Sequence, residues 1–287
     1  MTHRRDLENQ RHSLVEIREI MNSMKTLAFM ETRKLARFID AQHVVVQNIE
    51  DAVADLISFH PEILPEKKVT GEVFILIGTE RGFCGDFNQA LLRHLEADLQ
   101  EHSTGSPMFI AVGRKLYTLL EGDPRAVAFI DGAGIVEEIA SLLEQVVDEL
   151  VDLQGEHGAL TVYCLYHGSE EGATLQKLLP PFQALHHREP RFPYPPVLYQ
   201  SPGELLTSFI DHYLFAVLHE ILYTSLMVEN HRRVVHLEGA IRHLDDKSAE
   251  LSRKCNAMRQ EEIIEEIEVI LLSAATPDDK SGAGHNI

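Results

Sequence analysis

The chain has 287 residues, enough for one or two domains with a sizeable core. Its 45 acidic and 26 basic residues give a formal charge of −19, with the excess beyond residue 60, which argues against nucleic acid and against direct adsorption to anionic lipid. Three scattered cysteines, Cys84, Cys164 and Cys255, read as reduced thiols; the charged start Arg4-Arg5-Asp6 is no signal peptide, and no apolar run approaches ~18 residues, so any link to a membrane is expected through partners.

From Met1 to His60 there is neither Gly nor Pro. Leu7, Leu14, Ile17, Met21, Met24, Ala28, Leu35, Phe38, Val45, Ile49, Ala52 and Leu56 fill a heptad series in which only Gln10, Glu31 and Gln42 are polar. A repeat of seven kept this long predicts one helix over 1–60 in a left-handed supercoil. After a linker from Pro61 to Lys68, Glu72–Gly78 reads as a buried strand, followed by the loop 79–88 and a helix over 88–102. Strands at 108–113, 126–130 and 160–166 alternate with helices at 114–120 and 135–153, which predicts a Rossmann-like α/β domain with a mostly parallel sheet over 61–203. The proline-rich segment 178–198 reads as an edge strand and a return loop.

From Glu204 to Thr276 there is one glycine, Gly239, and no proline. One helix of that length runs to roughly 110 Å, too long to bury in a single domain. Leu206, Ile210, Tyr213, Val217 and Ile221 mark one face; after a polar stretch, Glu229–Arg233, the stripe resumes as Leu237, Ile241, Leu244, Ser248, Leu251, Cys255 and Met258. One residue out of step, Ile263, Ile267, Ile270 and Ala274 continue it. The two terminal helices are therefore expected to pair as a long antiparallel two-helix coiled coil. The polar tail 277–287 reads as disordered.

Gly78, Gly82 and Gly85 lie in a strand-to-helix loop that could cradle phosphate, but their spacing fits neither GxGxxG nor a P-loop and favours a tight turn. Cys84, near a helix start, could be a nucleophile, although a packed thiol fits better without a nearby histidine. The 16 histidines form no HExxH, and the acidic cluster Glu261–Glu268 spreads around its helix. No catalytic, cofactor-binding or metal-ligating residue is expected.

Three segments resemble the γ subunit of F-type ATP synthases over nearly the whole chain. They are Ile20-Met21-Asn22-Ser23-Met24-Lys25-Thr26-Leu27-Ala28 with Arg33-Lys34-Leu35; Thr79-Glu80-Arg81-Gly82-Phe83-Cys84-Gly85-Asp86-Phe87-Asn88; and Ser225-Leu226-Met227-Val228-Glu229 with Arg233, then Asn256-Ala257-Met258-Arg259-Gln260. The resemblance implies a non-catalytic rotor shaft whose terminal helices enter a hexamer of α and β subunits while the body meets the ε subunit and a ring of membrane c subunits. Rotation would then couple ion flow to ATP synthesis or hydrolysis. It also implies that Arg259, Gln260 and Glu266, with Met24 and Arg33, contact β subunits, and that Arg81, Gly82, Cys84 and Gly85 shape the foot near ε and the c ring. It places the chain at the cytoplasmic face of a prokaryotic plasma membrane, held there through the c ring.

Lys25, Glu31, Asp86 in place of a common glycine, and Arg232 at a usually small position depart from the family pattern and mark a divergent branch. Two alternatives stay open. An α/β enzyme with helical dimerisation arms would need a ligand pocket at the C-terminal ends of strands 72–78 and 108–113. A free-standing coiled-coil scaffold would pair its helices between chains.

Overall fold

The structure, a computed structural model, describes residues 2–64, 70–102, 107–169, 172–183, 185 and 192–275, so the tail predicted over 277–287 lies outside the described residues. Its elements are α1 (Thr2–Phe59), β1 (Gly71–Ile77), α2 (Phe87–His102), β2 (Met108–Val112), α3 (Arg114–Leu120), β3 (Ala126–Ile130), α4 (Ile139–His157), β4 (Leu160–Ser169), β5 (Gly172–Leu179) and α5 (Pro202–Ala275). The residues group into two compact units, one formed by 25–236 and the other by 1–24 with 237–287.

In the 25–236 unit the five strands lie in the order β3-β2-β1-β4-β5, the first four parallel and β5 antiparallel to β4. Alternation along each strand builds two layers of core. Val73, Ile75 and Ile77 with Ile110 and Val112 face α4, α1 and α5. Phe74 and Leu76 with Phe109 and Ala111 face Leu91 and Leu95 of α2 and Leu116 of α3. The edge strand lies earlier than the prolines suggested. β5 ends at Leu179 because Pro180 and Pro181 have no N–H to give the ladder, and its mixed Thr174, Gln176 and Lys177 pattern hid it from a search for apolar runs.

Helices α1 and α5 run antiparallel within each unit. In the 25–236 unit, Phe38 and Tyr223 bring their ring centroids to 5.6 Å, Gln42 Nε2 donates to the Ala216 carbonyl at 3.0 Å, and His43 Nδ1 lies 2.7 Å from Glu220. In the other unit Met21, Leu237 and Ile241 bury one another, with Met24, Ala240 and Leu244 at the rim. Arg18 meets Asp245 at 2.5 Å and Arg4 meets Glu262 at 3.0 Å. The pairing is made within a single chain.

The observed seam departs from the strict heptad. Leu7, Leu14, Met21, Ala28, Leu35, Ile49 and Leu56 turn inward as the repeat of seven requires, but beyond Leu35 the alternate position moves on by one residue, to Ile39, Val46 and Val53, while Phe38 and Val45 are 45% exposed. A helix of 3.6 residues per turn drifts ~20° per heptad, so the inward face shifts one edge by a residue where the sheet, rather than one partner helix, sets the contact. Ile17, also placed in the seam by period, is exposed.

At the other end, Arg4 reaches Glu262 near the start of α1, and beyond it Ile263, Ile267 and Ile270 are exposed rather than continuing the stripe. The expectation that no apolar run approaches membrane length also needs correction. The α5 helix contains an 18-residue window of mean hydropathy 1.3, 44% of it buried, in a helix whose Leu206–Leu226 portion packs on the sheet and α1.

This seam makes a sharp expectation. Leu35→Ala should cost about 2–5 kcal/mol in urea unfolding followed by circular dichroism, and Val45→Ala less than about 0.5 kcal/mol. Equal losses at the two positions would restore the strict heptad.

Candidate functional site

The carboxyl ends of a parallel sheet, where strand order reverses, are where doubly wound folds bind ligands. Here the reversal lies between β1 and β4, and the loops after β1, β2 and β3 are tied together. The Glu80 carboxylate accepts the backbone N–H groups of Arg114 at 3.0 Å and Gly132 at 2.9 Å. Asn88 accepts the Thr79 N–H at 3.0 Å and donates to the Thr79 hydroxyl at 2.9 Å, closing the 79–88 loop on itself. Gly113, at φ +104°, passes so close to Thr79 that an added Cβ would lie 2.9 Å from its carbonyl, so β2 can end there only on a glycine.

The loop rests on α5. Arg233 donates from Nε to the Gly82 carbonyl at 3.2 Å, from Nη1 to Asn230 Oδ1 at 2.6 Å, and from Nη2 to both Cys84 Sγ and the Glu229 carboxylate. The backbone at Arg81 and Glu80 also favours the charged form of Glu229. Glu229, Asn230 and Arg233 are 3%, 1% and 4% exposed, so this is a buried ion pair whose remaining hydrogen-bonding capacity is taken by the loop. Burial raises the Glu229 carboxyl, and the guanidinium opposes that rise. Nearby Cys84, Phe87 and Val228 bury one another. Burial, with the Glu229 charge beside it, pushes the Cys84 thiol up to about 12, which makes it a packed thiol and a poor nucleophile.

The residues singled out from sequence separate into groups. Arg81, Gly82, Cys84 and Gly85 come together in the docked loop, with Gly85 at φ +64° and Arg81 lying over Gly134. Phe83, also at positive φ, stands 46% exposed at its tip. Met24 is half-buried against the Met21–Leu237–Ile241 cluster, whereas Arg33 is exposed on α1. Arg259, Gln260 and Glu266 are exposed on α5. Pattern reading missed that Glu229–Arg233, taken as a polar interruption of the stripe, is the anchor of the loop. The pairing of the second and third motifs was the available signal.

The crevice at the strand ends is filled by α5. Leu222, Ser225, Leu226 and Glu229 close over Gly78, Val112 and Ala133, leaving a cavity of about 20 Å³, room for a single water. The pocket required by an enzyme with its site at these strand ends is occupied by the chain's own helix. Among the described residues no group of three or more His, Cys, Asp or Glu could hold a metal ion.

Removing one half of the buried pair should be costly. Arg233→Met leaves Glu229 buried alone and should lower unfolding stability by about 3–5 kcal/mol, while Arg233→Met with Glu229→Leu should recover most of that loss. A double variant as unstable as the single one would contradict the pair as the source.

The family model for ATP synthase matches residues 3–276. The ATP synthase gamma chain of Ruminococcus albus is 25% identical, covering 98% of this chain and 100% of that protein. That of Acidithiobacillus ferridurans is 23% identical over 97% of each. Among solved structures, a chain of the mitochondrial ATP synthase of Euglena gracilis aligns over 99% of both chains with a TM-score of 0.57 at 16% identity, a likeness of fold. With a match spanning both long helices and the sheet, and with identities this low, the chain belongs to the ATP synthase gamma family as a divergent member.

Proposed function

We propose that this protein is the non-catalytic central shaft of its ATP synthase, turning inside a hexamer of α and β subunits and standing on ε and the c ring. The gamma family supplies the central stalk, which couples ion translocation to ATP synthesis or hydrolysis. The observation that carries the mechanical part of the reading is the clamp of Glu229, Asn230 and Arg233 on the 79–88 loop. It locks the sheet to the same helix, α5, that runs unbroken from Pro202 to Ala275, so torque on the sheet has a stiff route into that helix.

In this reading residues 1–60 and 204–276 form the shaft and 61–203 the body. Arg259, Gln260 and Glu266 on α5, with Met24 and Arg33 on α1, face β subunits. Arg81, Gly82, Cys84 and Gly85 shape the foot. The exposed Ile263, Ile267 and Ile270 favour an apolar sleeve around the end of α5, because a stripe of that size left in water loses the free energy of burial. The complex is membrane-associated and peripheral to the bilayer, on the cytoplasmic side of a prokaryotic membrane.

A chain ending at Glu250 tests this directly. In membranes containing the full complex it should assemble less well and pump several-fold fewer ions per ATP hydrolysed. Undiminished coupling would remove this end of α5 from the hexamer.

A further inference from the structure

Two departures from the family pattern, Asp86 and Arg232, meet at a third residue that no motif contains, His167. It lies near the end of β4 with its side chain fully buried. Its Nε2 is 3.0 Å from the carbonyl oxygen of Phe87, which can only accept, and its Nδ1 is 3.4 Å from the Arg232 guanidinium, which can only donate. These two partners specify a neutral imidazole with its proton on Nε2. The ring packs on Phe87 at a tilt of 50° with centroids 4.0 Å apart, and the Arg232 guanidinium lies 5.3 Å from the same Phe87 centroid. Phe87 is the first residue of α2, and with Cys84 it closes the loop onto Val228 of α5.

The geometry points to a proton-sensitive latch: neutral His167 holds the 79–88 loop and the start of α2 on α5, and its protonation releases them. A second proton would sit on Nδ1, facing the Arg232 guanidinium, a donor of like charge. The charged groups that act on the ring are Arg232 of α5, which opposes protonation, and Asp86 before α2, which favours it. Asp86 is itself held by Arg93 of α2 at 2.8 Å and lies 3.8 Å from Arg232. From β5 the contribution is backbone, at Gly172.

Burial, aided by Arg232, holds the imidazole below its ordinary 6.5, against the opposite pull of the Phe87 and Gly172 backbone and of Asp86. The unfolded chain therefore takes the proton more readily than the docked loop does. The latch keeps its full stability above about pH 6.5 and weakens as pH falls toward the lowered folded value.

Hydrogen exchange of the full chain, corrected for intrinsic rates, reads the latch through the amides of 79–90. Protection there should fall by about five- to tenfold between pH 7.5 and 5.5 in the native sequence. It should stay flat in His167→Gln, whose amide keeps a donor and an acceptor but cannot take up a proton in this range. Arg232→Gln, which removes the opposing charge and lets the folded value rise toward the unfolded one, should shrink the loss. A flat native profile, or an equal loss in His167→Gln, overturns the proposal. If His167→Gln does not fold, an Arg232→Gln profile that coincides with the native one overturns it.

Discussion

The structure of the 25–236 unit depends on one buried charge pair, Glu229 with Arg233. Burying two charges is expensive unless every donor and acceptor finds a partner. Here the partners that come from the loop after β1 are the Gly82 carbonyl and the Cys84 sulfur, and Asn230 on α5 takes a further Arg233 N–H. The pair therefore specifies where the loop goes. The loop in turn holds the ends of β1, β2 and β3 in register through Thr79, Asn88 and Glu80.

That arrangement explains why a sheet with Rossmann-like topology carries a helix where a nucleotide would lie. The α5 segment from Leu218 to Asn230 is buried around most of its circumference because the sheet, α4, α1 and the 79–88 loop surround it, so polar residues are retained there only as a satisfied network. The same packing makes the crevice a joint between sheet and helix. Here α5 takes the place of the fold's usual ligand site.

Local periodicity made much of this legible. The absence of Gly and Pro located α1 and α5, and short β-branched runs located β1 to β4, because those features express one element's own preferences. Leu237 through Met258 faced inward as their spacing required. What periodicity missed depended on distant contacts. The seam of α1 slid from Phe38 to Ile39 and from Val45 to Val46 under the influence of the sheet. Strand β5 is half-exposed and shows no apolar run. Glu229 and Arg233, four apart on a helix, have the spacing of an ordinary surface ion pair, and only a loop some 150 residues away reveals that they are buried. The resemblance located the loop motif and the α5 motif separately; their contact gives both a physical reason.

The most direct test of the account is co-expression of this chain with the α and β subunits of its own cell, followed by size-exclusion chromatography and a magnesium-dependent ATPase assay. The account predicts one stoichiometric complex whose ATPase activity depends on this chain and whose assembly drops when Arg233 is replaced by Met. A chain that elutes alone, with α and β indifferent to its presence, would contradict it.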